Sequence, residues 1–293
     1  MSPAQLKQAR IIASACAENI SLPLRSRVWK GMAGDFAGAG SGSSLDFQDH
    51  RNYVPGDDPR HINWQAYART GSYTMKLYRE EVRPIVDIIL DVSDSMFFEE
   101  SKSIRTAEIF YTIVSSAIQA GAATNIHLIK GPSHKQIPLD TVLSDQWFNI
   151  GQDLNDTQPN QAPNLEALPL RPNTIRVFIS DLLFPGDANP IIRQLTQKQG
   201  SLIILSPFSQ SEANPEWQGN FEFIDAESGN RHPHRIEPHV LRDYKKTYSK
   251  HFSLWYNAAL KHQSPMARIP SDIDLMEALQ VDAIRTGALE ISL

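Results

Sequence analysis

The stretch that most constrains this chain is Ile85-Val-Asp-Ile-Ile-Leu-Asp-Val-Ser-Asp-Ser-Met96. Ile85 to Leu90 is apolar except for Asp87, β-branched, short and preceded by Pro84, which predicts a buried strand rather than a helix. A near-continuous apolar strand fits a parallel sheet covered on both faces. From Ser101 to Ala120 the residues Ile104, Ala107, Ile109, Phe110, Ile113, Val114 and Ile118 keep helical spacing. The polar turn with Asp91, Ser93 and Ser95 therefore joins a central strand to a helix. Open parallel sheets bind ligands at that edge.

One carboxylate and two hydroxyls make a poor nucleophile set, because no histidine lies nearby in sequence to activate a serine. They make a good partial shell for a hard divalent cation, which takes oxygen ligands and needs only one or two carboxylates. The alternative is that Asp91 and Ser93 simply cap the following helix. A second apolar strand, Ile175-Arg-Val-Phe-Ile-Ser-Asp-Leu-Leu183, also ends in polar residues, Ser180 and Asp181. If the strand order reverses between the two strands, Asp181 faces Asp91 at the switch point, and the metal reading gains weight over capping.

At these residues the chain resembles a von Willebrand factor A-type domain with its metal-ion-dependent adhesion site. More narrowly, it resembles the bacterial family called domain of unknown function 58. The narrower likeness rests on Gly38 and Gly40, Asp46-Phe47, the string Arg51-x-Tyr53-x-Pro55-Gly56-Asp57-Asp58-x-Arg60-x-Ile62-x-Trp64, Ala68-Arg69, and then Asp91, Ser93, Ser95 and Met96. It covers roughly Gly38 to Leu279. The resemblance implies an α/β fold with a mostly parallel, Rossmann-like sheet flanked by helices, on which an N-terminal helical and extended signature segment packs. It places a boundary between residues 1–83 and 84–293. It implies magnesium or manganese on Asp91, Ser93, Ser95 and Asp181, an acidic residue of a protein partner as the incoming ligand, and a MoxR-type AAA+ ATPase as that partner. The adhesion-site family often adds a threonine ligand. The corresponding stretch here, Gln161-Ala-Pro-Asn-Leu-Glu-Ala-Leu168, has none, which leaves Thr157 as the nearest candidate and Asn164 as a substitute.

Bulk properties narrow the classes. Charged residues at 21% and hydrophobic ones at 41% of 293 residues describe an ordinary globular chain. A net charge of −5 and a pI near 6.0 argue against a general polyanion binder such as a nucleic-acid protein. The single cysteine, Cys16, excludes an internal disulfide and a thiolate zinc cluster. No apolar run reaches the length of a membrane span, and Ile11 to Ala17 is too short for a secretory core. Together these lead to the expectation of a cytoplasmic protein. No internal repeat is visible.

Pro3 to Ile20 reads as an amphipathic helix packed on its own domain, and Gly38 to Ser44 as a loop rich in small residues. In the signature segment, Arg51, Asp57, Asp58, Arg60 and Arg69 with Tyr53 and Trp64 predict a salt-bridged plate backed by aromatic rings. The same residues could form a partner-binding surface. Thr124 to Lys130, Gln136 to Leu139, Ser201 to Pro207 and Ala267 to Ile269 are expected strands. Asp140 to Leu154, Asp187 to Gly200, Pro238 to His262 and Asp272 to Leu279 are expected helices, with a hairpin turning near Ser228-Gly-Asn230. His232, His234 and His239 sit in a basic, turn-rich run and read as a solvated face.

Three functions follow. The first is a non-enzymatic, metal-bridged interaction module with no nucleic-acid ligand. The second is a metal-dependent phosphatase or hydrolase with Asp91 as nucleophile. Ser93 counts against it, because it stands where a second acidic residue would be needed. The third is a structural domain without metal.

Overall fold

The computed structural model describes residues 1–24, 45–80, 84–156, 161–227 and 229–292, with backbone alone for 45–49, 61 and 76–80. The Gly38 to Ser44 loop lies outside the described residues. The chain forms two compact units, Gly31–Arg83 and the combination of Met1–Lys30 with Pro84–Leu293.

Helix α1 (Pro3–Ala17) and the two-residue strand β1 (Ile20–Ser21) open the chain. In the smaller unit β2 (Leu45–Asn52) runs antiparallel to β3 (Thr74–Glu80), with α2 (Trp64–Thr70) between them in sequence. The larger unit resumes at β4 (Ile85–Asp91), followed by α3 (Asp94–Phe97), α4 (Glu100–Gln119), β5 (Ala123–Lys130) and β6 (Ser133–Ile137). Next come α5 (Leu139–Leu143), α6 (Trp147–Gln152), β7 (Ile175–Ile179), α7 (Ala188–Leu195), β8 (Ser201–Phe208) and α8 (Gln210–Ala213). The hairpin β9 (Gly219–Ile224) and β10 (Arg231–Ile236), α9 (Pro238–Lys261), β11 (Met266–Pro270), α10 (Leu275–Ala278) and β12 (Glu290–Ile291) complete it.

Six strands form one sheet in the order β11-β8-β7-β4-β5-β6, parallel throughout except for β6. Strand alternation divides β4 between two cores. Val86, Ile88 and Leu90 pack with residues of α1, α4, α6 and α10, whereas Ile89 packs with residues of α7 and α9. This two-sided burial is why the strand is apolar almost without a break. Its exception, Asp87, is fully buried but satisfied. Its carboxylate accepts hydrogen bonds from Asn125 at 2.7 Å and Thr174 at 2.8 Å, with the Arg176 guanidinium 3.8 Å away.

Helix α1 belongs to the sheet unit and packs along α4, so the division of the chain differs from the 1–83 and 84–293 boundary expected from sequence. Ala9, Ala13 and Ala17 recur every fourth residue on α1 and are buried, which gives a narrow face for close approach. The cover explains why α4 carries buried residues nearly all round. The expected helix from Asp140 to Leu154 is instead split into α5 and α6. Asp145 between them adopts a left-handed φ of 62°. The break turns Trp147 into the core, where its indole N–H donates to Tyr111 at 2.8 Å and Tyr111 donates to Asp145 at 2.7 Å.

Ala13→Leu overfills the α1–α4 contact. We expect a loss of about 1–3 kcal/mol in urea unfolding with an unchanged denaturant slope. An unchanged midpoint would show that α1 does not pack there in solution.

Candidate functional site

The chain leaves β4 toward β5 on one side and leaves β7 toward β8 on the other, so the β4–β7 boundary is the switch point of the sheet. The two strands are hydrogen-bonded neighbours, with Leu90 opposite Ile179. Asp91 and the pair Ser180-Asp181 therefore emerge side by side at the C-terminal edge.

Asp91 is buried. One carboxylate oxygen accepts the Ser93 N–H at 3.0 Å and the other accepts the Ser180 hydroxyl at 2.7 Å. Burial, reinforced by the charge of Asp181, raises its pKa from 3.8 to about 7 despite those hydrogen bonds. Asp181 is equally buried, with one oxygen accepting the Leu183 N–H at 3.1 Å and the other facing the Lys102 ammonium at 2.8 Å. Lys102 reaches there from α4 and also bonds Glu212 at 2.7 Å. Burial opposes the Lys102 charge, but Asp181 and Glu212 outweigh it and push its pKa above the ordinary lysine value. The backbone after Asp181 is held in a left-handed turn at Leu182, φ 62°, whose carbonyl lies 2.8 Å from Nε2 of His251.

The two serines do not cap. Ser93 occupies the N-cap position of α3, yet its side chain makes no capping hydrogen bond. Its hydroxyl lies 3.3 Å from that of Ser95. The N–H groups of this turn are instead taken by Glu227, at 2.9 Å from Ser95 N and 3.4 Å from Asp94 N.

Asp91, Ser93, Ser95 and Asp181 line a single cavity of about 60 Å³, with Gly131, Asp156, Gln161, Pro163, Leu183, Phe184 and Glu227 around them. That volume suits an ion with a few waters and falls far below the about 300–1,000 Å³ of small-molecule pockets. Gly131 is required there. Its φ is 53°, and a Cβ would approach Asp156 Oδ1 to 2.2 Å. Thr157 lies outside the described residues. Asn164 is exposed, accepts the Glu166 N–H at 3.1 Å and does not line the cavity. Among the described residues no three His, Cys, Asp or Glu side chains are grouped to hold a metal. A cation here would rest on two carboxylates and two hydroxyls.

The signature residues lie in the smaller unit. Arg51 pairs with Asp57 through two bonds of 2.8 and 2.6 Å, and Arg60 pairs with Asp58 at 2.7 Å. The Arg51 guanidinium, helped by the Val54 N–H, holds the Asp57 carboxyl below the usual carboxylate range. Tyr67 and Tyr73 stack at 4.5 Å, with Tyr53 and Trp64 against Tyr73 at 6.2 and 6.4 Å. Arg69 is exposed in the last turn of α2. Two ion pairs and a cluster of rings are thus formed within this unit, and Arg69 has no ion pair among the described residues.

A comparison with protein families matches residues 49–253 to the family described as protein of unknown function DUF58. The chain belongs to the DUF58 family. Among curated proteins no sequence matches it. Two similar solved structures are an aerotolerance-related membrane protein from Bacteroides fragilis NCTC 9343, with multiple mutations to serines, and the conserved hypothetical protein BatB from Bacteroides thetaiotaomicron. The first is 13% identical, covers 60% of this chain and 99% of its own, and has a TM-score of 0.32. The second is 12% identical, covers 69% of this chain and 98% of its own, and has a TM-score of 0.35. Scores this low leave the fold of the DUF58 chain to be argued from its own sheet.

The cytoplasmic location expected from sequence is corrected. One of the similar structures is by its own description a membrane protein. The expectation rested on one cysteine and the lack of an apolar run, and neither assigns a compartment. Among the described residues of the DUF58 chain no helix is long and apolar enough to cross a membrane.

The raised Asp91 pKa has a definite sign. The folded state holds its proton up to about pH 7, whereas the unfolded chain releases it near 3.8, so ionisation destabilises the metal-free fold. The penalty is absent below about pH 4, grows as pH rises and is complete above about pH 7, with an upper bound of about 4 kcal/mol. Asp91→Asn removes the charge, keeps one acceptor for the Ser93 N–H and turns its amide N–H to donate to the Ser180 hydroxyl oxygen. In chelator at pH 8 we expect it to withstand urea better than wild type by about 1–3 kcal/mol, and to lose the advantage near pH 4. Lower stability at pH 8 would identify Asp91 as a structural cap.

Proposed function

We propose that this DUF58 chain is a non-enzymatic interaction module built on a von Willebrand factor A-like sheet. Magnesium or manganese held by Asp91, Ser93, Ser95 and Asp181 accepts an acidic side chain from a protein partner. The observation that carries this reading is the pair of Ser93 and Ser95 hydroxyls, 3.3 Å apart and unused for capping, beside a buried Asp91 whose charge has no cation of its own. Lys102 already serves Asp181. The residues fit a hard cation, since such ions take oxygen ligands and accept neutral hydroxyls alongside carboxylates. Bound there, the ion supplies a positive charge at the sheet edge that attracts a carboxylate.

Catalysis by Asp91 is disfavoured by its engagement at both oxygens and by a cavity of about 60 Å³. Ser93 stands where a phosphatase of that design needs an acid. The MoxR-type AAA+ ATPase is proposed as partner from the family resemblance named above.

Magnesium at about a hundred times its Kd is expected to raise the stability of wild type by about 2.7 kcal/mol, several degrees in Tm, and to leave Asp91→Ala and Ser93→Ala unmoved. A shift retained in both variants would place the ion elsewhere. Affinity capture from native lysate then tests the partner. A MoxR-type ATPase is expected with wild type in magnesium and not with chelator or Asp91→Ala.

A further inference from the structure

Glu227 reaches the site from far along the chain. It follows β9 in the tip of the β9–β10 hairpin, whose turn is closed by Asp225 N to Asn230 O at 2.9 Å and Gly229 N to Asp225 O at 2.8 Å. The Asp225 carboxylate accepts the Glu227 N–H at 2.9 Å, which fixes the backbone from which the glutamate projects. Its two oxygens then accept the N–H groups of Ser95 and Asp94, in the same turn that presents the serine hydroxyls. The side chain lines the cavity with Asp91, Ser93, Ser95 and Asp181. Among the described residues no lysine or arginine forms an ion pair with it. A carboxylate is thus held by two backbone donors in the cavity that the Asp91, Asp156 and Asp181 carboxylates also line.

The hairpin that carries it lies outside the sheet and is tied to α9 by ring contacts, Phe223 to Trp217 at 5.0 Å and Trp217 to Tyr244 at 5.3 Å. Its strands pair with each other and not with the six-stranded sheet, and most of their residues are exposed. An isolated two-stranded hairpin is marginal in water, so its tip can leave with little loss of core. Tight docking and cheap release are the two properties of a displaceable plug.

We propose that Glu227 is the chain's own occupant of the site, an autoinhibitory carboxylate that an acidic partner residue must displace. This rests on the metal-site reading above and adds to it a regulatory element. While Glu227 is docked, only the small fraction of molecules with the hairpin tip released can take an external carboxylate, and apparent affinity falls by that fraction.

The test uses the full chain with hexaglutamate peptide as probe, in magnesium and in chelator. Glu227→Ala is expected to bind the peptide at least about tenfold more tightly than wild type, in magnesium alone. Glu227→Gln, which keeps an acceptor for Ser95 N, guards against loss of folding and is expected to bind more tightly as well. Glu222→Gln removes the same charge from the same hairpin, away from the cavity, and is expected to bind as wild type does. Equal magnesium-dependent affinity in wild type and both Glu227 variants would overturn the plug while leaving the metal site standing. A gain in Glu222→Gln equal to that in Glu227→Ala would also overturn it, by assigning the effect to net charge. Peptide binding indifferent to magnesium in every protein would overturn the metal-site reading and the plug with it.

Discussion

Two buried aspartates can share the end of a parallel sheet only because Lys102 lies between one of them and Glu212. Its ammonium lies 2.8 Å from Asp181 and 2.7 Å from Glu212, while Lys130 at the end of β5 pairs with Asp94 at 2.6 Å. Taking a charge out of water is unfavourable by several kcal/mol unless it is paired, and breaking such a buried pair is worse than never having made it. Lys102 therefore does for Asp181 what no cation among the described residues does for Asp91. The asymmetry sets the character of the edge. One carboxylate is paired and fixed, while burial and the charge of Asp181 push the pKa of its neighbour up to about 7.

The fold supplies that asymmetry from a distance. Lys102 is placed by α4, which is buried along most of its length because α1 covers its outer side. Asp181 is placed by β7, next to β4 at the reversal of strand order. A lysine at an ordinary exposed position would spend its charge on solvent. Here it is 3% exposed and has two partners.

Much of the architecture was legible because strand and helix periodicities differ and both are strong in this chain. The apolar runs at Ile85 and Ile175 and the amphipathic Pro238 helix each sit close to where their patterns place them. The split of the Asp140 to Leu154 segment was not legible, since it depends on a hydrogen-bonded chain from Trp147 through Tyr111 to Asp145, and Tyr111 lies on a different helix. The assignment of α1 to the sheet unit was hidden for the same reason. It depends on which surface receives Ala9 and Ala13, not on the helix itself. At the site, Asp91, Ser93, Ser95 and Asp181 announced themselves through alternation at strand ends. Lys102, Glu212 and Glu227 did not. Lys102 sits among buried residues of α4 with no local mark, and Glu227 lies 132 positions from the Ser95 N–H it accepts.

These residues also explain why a hydroxyl-rich set is the more useful one at such an edge. Carboxylates in every position would neutralise a divalent ion and leave it no attraction for a further carboxylate. Hydroxyls contribute lone pairs without charge, and Lys102 offsets part of the negative charge on Asp181 and Glu212. A cation proposed on this set would keep part of its charge for an oxygen anion from elsewhere. Glu227 has the right chemistry and is already held within the same turn by two backbone N–H groups. On the proposed reading an external carboxylate and Glu227 would be alternatives for one position, and the choice between them would depend on release of the tip of a hairpin that lies outside the six-stranded sheet.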